Sequence, residues 1–278
     1  MAETPGDRPY TVRTPRVSAA LKLHRRRERD KTGRFLAEGP QAVREALTAG
    51  VVVEVFATSP VDLVRMVGDL GDLGVSSPPF VQDQRARVSV VDEAAMAALT
   101  ETVTPQGVVA VCERVDLGLG EALAKRPRLV AVLVDVRDPG NAGTILRTAD
   151  AAGAGAVIFA GEAVDPYNGK CVRASAGSLF HVDVVRERDA FTVLDKLRGM
   201  RVLATSGRGE NDLFELDLGG PTAWLFGGEA HGLPDELLER AERVRVPLYG
   251  MAESLNLASA AAVCLYASAR AHHSTDPV

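Results

Sequence analysis

The sequence predicts an α/β protein built on a parallel sheet, on three observations. From Leu129 onward, short apolar β-prone runs alternate with helix-length segments, the order expected of βαβ units. Three patches that combine glycines with polar side chains each follow such a run: Asp138 to Gly143 leading to Arg147, Phe226 to Gly232, and Val246 to Leu248 leading to Glu253, Ser254, Leu255 and Asn256. Open α/β sheets place ligand sites at such strand ends. A break in the pattern over residues 113–128, which holds Gly118, Gly120, Lys125, Arg126 and Pro127, reads as a linker to a separate N-terminal αβ unit.

Taken in order, residues 1–13 are rich in Pro, Gly and charge without apolar periodicity and are expected to be disordered. The N-terminal unit, residues 14–112, begins with a basic segment whose few apolar points are Val17, Leu21 and Leu23. A helix over Gln41 to Ala49, a strand over Val51 to Ala57, a helix over Asp62 to Leu70, a strand over Arg87 to Val91, a helix over Glu93 to Thr100 and a strand over Gly107 to Cys112 follow. In the second half, strands are expected at 129–134, 156–160, 181–185, 201–205, 223–226 and 244–246. Helices are expected at 144–152, 169–178, 191–198, 235–241 and 254–270, the last with Leu255, Ala258, Ala262, Leu265 and Ala269 on one face. The larger domain runs to 271, and 272–278 form a polar tail.

Composition narrows the function. With 46% hydrophobic and 25% charged residues in 278, usage is that of an ordinary globular protein. No apolar run approaches the about 18 residues of a membrane helix, and no secretory leader is visible, so a cytoplasmic protein without a membrane partner is expected. Cys112, Cys171 and Cys264 are isolated, which argues against a zinc site or a disulfide framework; no metal is expected. The net charge of −5 conceals a local surplus: nine basic residues against two acidic ones between Thr11 and Arg34. Arg16, Lys22, Arg25, Arg26, Arg27 and Arg34 in that run are candidate nucleic-acid phosphate contacts, or else a solvated surface. Gly153 and Gly155 follow a helix and precede a strand, the reverse of a dinucleotide-binding loop, and no phosphate-binding P-loop or nucleophile elbow is present.

The three patches each have a plain reading. Asn141 is placed to cap the helix after it, and Ser254, helped by Glu253, to cap the last helix. Gly227 and Gly228 are a glycine-rich turn, or a place where backbone approaches a ligand closely. Arg147 is a solvated charge, or a guanidinium poised for a phosphate or carboxylate. Glu229 between glycines suggests a carboxylate presented into a cleft.

Read jointly, the patches resemble the three signature motifs of the SpoU, or TrmH-type, RNA 2′-O-methyltransferases of the SPOUT class, in order and spacing from about Leu129 to Arg270. Lys170 to Ser178 resembles a further recurrent stretch of that family, and the region around Phe35 to Gly39 is similar to its small ribosomal-protein-like substrate-binding domain. The resemblance implies a parallel sheet closed by a deep trefoil knot and a homodimer formed through the knotted domain, with the active site completed across the interface. It implies S-adenosylmethionine contacted by Gly227, Val246 and Leu255, with Leu225, Gly228, Leu248 and Ala258 nearby. It makes Arg147 the central catalytic side chain, with Asn141, Glu229, Ser254 and Asn256 as the polar wall and Arg173 as a further RNA contact. The implied reaction is methylation of a ribose 2′-hydroxyl, in large-subunit rRNA because of the additional N-terminal domain. The alternatives are a tRNA substrate, a base-nitrogen methyltransferase, or a non-catalytic RNA-binding assembly factor on the same scaffold.

Overall fold

The computed structural model describes residues 8–59, 63 and 87–274. The chain divides into two units: residues up to Arg114 together with Tyr167–Phe180, and Val115–Pro166 together with His181 onward.

In the first unit, β1 (Arg34–Glu38), β2 (Val52–Ala57), β3 (Arg87–Val90) and β4 (Val108–Glu113) form a sheet of order β1-β4-β2-β3. β4 is antiparallel to both its neighbours, and β3 is parallel to β2. The basic segment folds as two short helices, Pro15–Leu21 and Arg26–Thr32, joined by a 3-10 turn at Lys22–His24. Val17, Ala20 and Leu23 enter the core beside Leu36, Phe56 and Met96, so three apolar points suffice to seat a charged segment. Residues 8–13 are not featureless: the Tyr10 N–H donates to Val90 O at 2.7 Å, and the Asp92 N–H to Tyr10 O at 3.0 Å. β1 has no counterpart among the expected elements, because Phe35, Leu36 and Ala37 are all buried and show no alternation. The helix expected over Asp62 to Leu70 lies outside the described residues apart from Leu63.

The second unit carries seven parallel strands in the order β7-β6-β5-β10-β8-β11-β9. These are β5 (Leu129–Val134), β6 (Ala156–Ala160), β7 (Asp183–Glu187), β8 (Arg201–Thr205), β9 (Asn211–Asp212), β10 (Thr222–Gly227) and β11 (Glu242–Arg245). Every residue of β5, β6 and β10 is buried, as expected when helices cover both faces of a parallel sheet. Alternate residues Val130, Val132, Val134, Ile158 and Leu225 join a core with Leu119, Val193, Leu197 and Leu237. The other face is closed by helices Pro139–Ala151 and Leu257–Ser274, which pack on each other. There Trp224 is fully buried, and its Nε1–H donates to Ser268 Oγ at 2.9 Å, which satisfies the indole.

Three boundaries differ from expectation. Residues 113–128 hold helix Leu119–Ala124, whose Leu119 and Ala122 are buried in the second unit's core, so the division falls after Arg114. The last helix begins at Leu257 and runs to Ser274; its buried face is Ala258, Ala261, Cys264, Leu265, Ser268, Ala269 and His272, while Leu255 precedes it and is exposed. His272, expected in a polar tail, is buried with Nε2 3.0 Å from Gly220 O. The three cysteines are buried, and burial pushes the Cys264 thiol up to about 12, outside the reactive range.

Candidate active site

The C-terminal ends of β8, β10 and β11 open onto a cavity of about 720 Å³. It is lined by Thr205, Ser206 and Gly207 at the end of β8, by Gly227, Gly228 and Glu229 at the end of β10, by Val244 to Leu248 at and beyond the end of β11, and by Glu253 to Leu257. Its size lies in the range of small-molecule sites. Leu248 and Leu255 give it apolar walls, while Asp212, Glu229 and Glu253 bring carboxylates and Thr205, Ser206 and Ser254 hydroxyls.

The backbone by itself already requires the two glycines at the end of β10. A β-carbon on Gly227 would collide with the main chain of Gly232 and Leu233, and one on Gly228 with the carbonyl of Asp135. The chain doubles back between them, with the Gly232 N–H donating to Gly228 O at 2.9 Å and Gly232 at φ 70°.

Asn141 is not the helix cap. Asp138 takes that place, its Oδ1 accepting the Asn141 N–H at 2.8 Å. The Asn141 side chain is thereby free for the site: its Nδ2 donates to Glu229 Oε1 at 2.9 Å, and its Oδ1 accepts from Asn256 Nδ2 at 3.2 Å. Nor does Ser254 cap the last helix. Asn256 does, its Oδ1 accepting the Ala258 N–H at 2.9 Å and the Ser259 N–H at 3.3 Å. Each amide in the array has its oxygen and nitrogen assigned by its partners. Burial alone would raise the pKa of Glu229. The hydrogen bonds it accepts from Asn141 and from the N–H groups of Glu229 itself, Arg137 and Asp138 outweigh burial, so the carboxyl titrates below the usual glutamate range. Whatever stability this adds is present above the ordinary glutamate pKa and fades as pH falls through the lowered value.

The structure thus brings Gly227, Gly228, Glu229, Val246, Leu248, Ser254, Leu255 and Asn256 onto one cavity, with Asn141 bonded to two of them. Leu225 and Ala258 are buried and do not line it. Arg147 lies outside it, six residues beyond Asn141 and so about 9 Å along the helix. It is exposed, with no hydrogen bond or ion pair among the described residues. Among the expected RNA contacts in the first unit, the side chains of Lys22, Arg25, Arg27 and Arg34 are exposed and have no partner among the described residues. Arg16 pairs with Glu54 at 3.3 Å and Arg26 with Asp30 at 3.7 Å. Arg173 is held by Glu38 at 3.0 Å and Glu101 at 3.2 Å. Arg29, within the basic run, is buried and donates to Leu23 O and His24 O. Among the described residues no cluster of three or more potential metal ligands occurs, and no helix is long and apolar enough to cross a membrane.

The model of the SpoU rRNA methylase family matches residues 128–266, which include the whole cavity and its polar array. The chain belongs to the SpoU rRNA methylase family. Residues 14–110 match an MRM3-like substrate-binding domain. The chain is similar to other SpoU-type enzymes over nearly its full length. It is 37% identical over 260 residues to the 23S rRNA (guanosine(2553)-2′-O)-methyltransferase RlmP of Bacillus subtilis, covering 92% of this chain and 96% of that one. It is 31% identical to a 23S rRNA (uridine(2479)-2′-O)-methyltransferase of Streptomyces viridochromogenes, covering 96% and 93%. Among solved structures, an AdoMet-bound rRNA methyltransferase from Sinorhizobium meliloti superposes with a TM-score of 0.80 at 32% identity, over 95% of this chain and 97% of that chain.

Proposed function

We propose that this protein methylates a ribose 2′-hydroxyl of large-subunit rRNA, using S-adenosylmethionine. The observation that carries the reading is the Glu229–Asn141–Asn256 array, aimed beside a cavity at the carboxyl ends of the strands in a SpoU-family chain. The lining suits that cofactor: carboxylates for a molecule bearing a sulfonium and an ammonium, hydroxyls for its ribose, and leucines for its base. When bound, S-adenosylmethionine supplies an already activated methyl group. Gly227, Val246, Leu248 and Leu255 would hold it, and catalysis by the protein would consist chiefly of aligning the acceptor oxygen.

Glu229, kept ionised, orients Asn141, and Asn256 fixes the other end of the same amide. Arg147 serves as an electrostatic clamp for the developing 2′-alkoxide rather than as a base, since a guanidinium is a planar, delocalised cation with donors and no acceptor for a proton. Its position outside the cavity of its own chain supports a homodimer in which Arg147 of one subunit completes the site of the other. Exposed Leu248, Tyr249, Met251, Leu255 and Tyr266, an apolar group beside the site and on the last helix, supports the same assembly. Close main-chain approach of distant segments, at Gly209 against Val244 and Arg245, supports a knotted C-terminal segment.

Transfer of label from radiolabelled S-adenosylmethionine to unmodified total RNA, followed by separation of the RNAs and digestion to nucleosides, tests the reading. A 2′-O-methylated nucleoside from large rRNA is expected. Label in tRNA moves the substrate, label on a base removes the ribose assignment, and absence of cofactor binding leaves an RNA-binding scaffold.

A further inference from the structure

Asp135, the first residue after β5, belongs to none of the three patches. It has φ 55°, one of three non-glycine residues in left-handed backbone among the described residues, a conformation that aspartate tolerates better than most. The chain around it is built to hold that turn. The Asp135 N–H donates to Ala160 O at 3.2 Å, and Asp135 Oδ1 accepts the Glu162 N–H at 2.7 Å, which ties the end of β5 to the turn after β6. Two glycines leave it room. A β-carbon on Gly161 would collide with its carboxylate, and one on Gly228 with its carbonyl oxygen.

Downstream, Val136 O accepts the Val164 N–H at 2.8 Å, and the Arg137 N–H donates to Glu229 Oε2 at 3.3 Å. Asp138 then caps the helix that presents Asn141 to Glu229. The segment that bears Glu229 therefore rests against the Asp135 main chain, while the segment that grips Glu229 begins there.

We propose that Asp135 is a positioning residue for methyl transfer: its left-handed turn, held by the carboxylate bond to Glu162, sets Arg137–Asn141 in register against Gly228–Glu229. This rests on the functional reading of the same site, and the experiment separates the two.

Three substitutions divide the role. Asp135→Asn keeps the acceptor and the tolerance of left-handed backbone. Asp135→Gly keeps the backbone and removes the acceptor, and Asp135→Ala loses both. For Asp135→Gly and Asp135→Ala, kcat is expected to fall at least about tenfold with KM for RNA within about twofold; Asp135→Asn stays near the parent protein. The Glu229 carboxyl titration, followed by 13C NMR on the full chain without RNA and assigned by its loss in Glu229→Gln, is expected to move up in the Gly and Ala variants only. Asp135→Gly carries the test where Asp135→Ala fails to fold. An unmoved Glu229 titration in Asp135→Gly, or an Asn variant as impaired as the Gly variant, overturns the assignment. Absence of methyl transfer by the parent protein would sink the functional reading, and the NMR arm would still decide Asp135.

Discussion

Asn256 serves two structures with one amide: its oxygen caps the last helix, and its nitrogen holds Asn141. The two functions separate in Asn256→Asp, because aspartate caps as well as asparagine but has no donor for the Asn141 oxygen. The expected outcome is a melting temperature within a few degrees of the parent protein and a kcat at least about tenfold lower, the equivalent of one hydrogen bond. Equal kcat for both proteins would remove the Asn141–Asn256 bond from the mechanism. The same residue shows why a sequence reading puts the cap at Ser254. Serine and asparagine are equally good caps, and the choice depends on where the chain turns after β11, which composition does not encode.

Among the elements, the buried strands announce themselves by continuous apolar runs, and β5, β6 and β8 fall where alternation with helices places them. β1 and the two-residue β9 do not. β1 lacks alternation, and β9 is a polar edge pair held by Asn211 and Asp212 against β11. The basic segment is a further case in which charge counts mislead. Arg29 is spent on backbone carbonyls inside the first unit, and Arg16 and Arg26 on carboxylates, which leaves Lys22, Arg25, Arg27 and Arg34 exposed and without a side-chain partner among the described residues. If these bind phosphates, Arg25→Ala with Arg27→Ala lowers the slope of log affinity for RNA against log salt by about one unit for each phosphate no longer neutralised. Filter binding across a salt series checks it, and an unchanged slope would leave them a solvated surface.

At the scale of the whole molecule, Arg147 poses the sharpest question, since the residue assigned the clamp does not reach the cavity of its own chain. A site shared between two subunits predicts complementation. Arg147→Ala and Asn141→Ala are each expected to abolish transfer alone, but a dimer holding one of each retains one intact site of two. An equal mixture, unfolded and refolded together, should therefore recover about a quarter of the parent activity. No recovery, with dimers demonstrated by sedimentation, would place Arg147 in its own subunit's site after a rearrangement.

Residue order alone determined the α/β class and the parallel sheet, because apolar periodicity is a local property of the chain; that Asn141, Glu229 and Asn256 share one site followed only from the resemblance of the three patches to the SpoU motifs. The tertiary structure decided which polar atom faces which. It moved the caps to Asp138 and Asn256, explained Gly227 and Gly228 by backbone crossing backbone, withdrew Arg173 into ion pairs, and brought Asp135 forward. Each of these depends on how segments far apart in the chain meet, such as the 88 positions between Asn141 and Glu229, and no local pattern reports the direction in which a side chain at one end approaches the other.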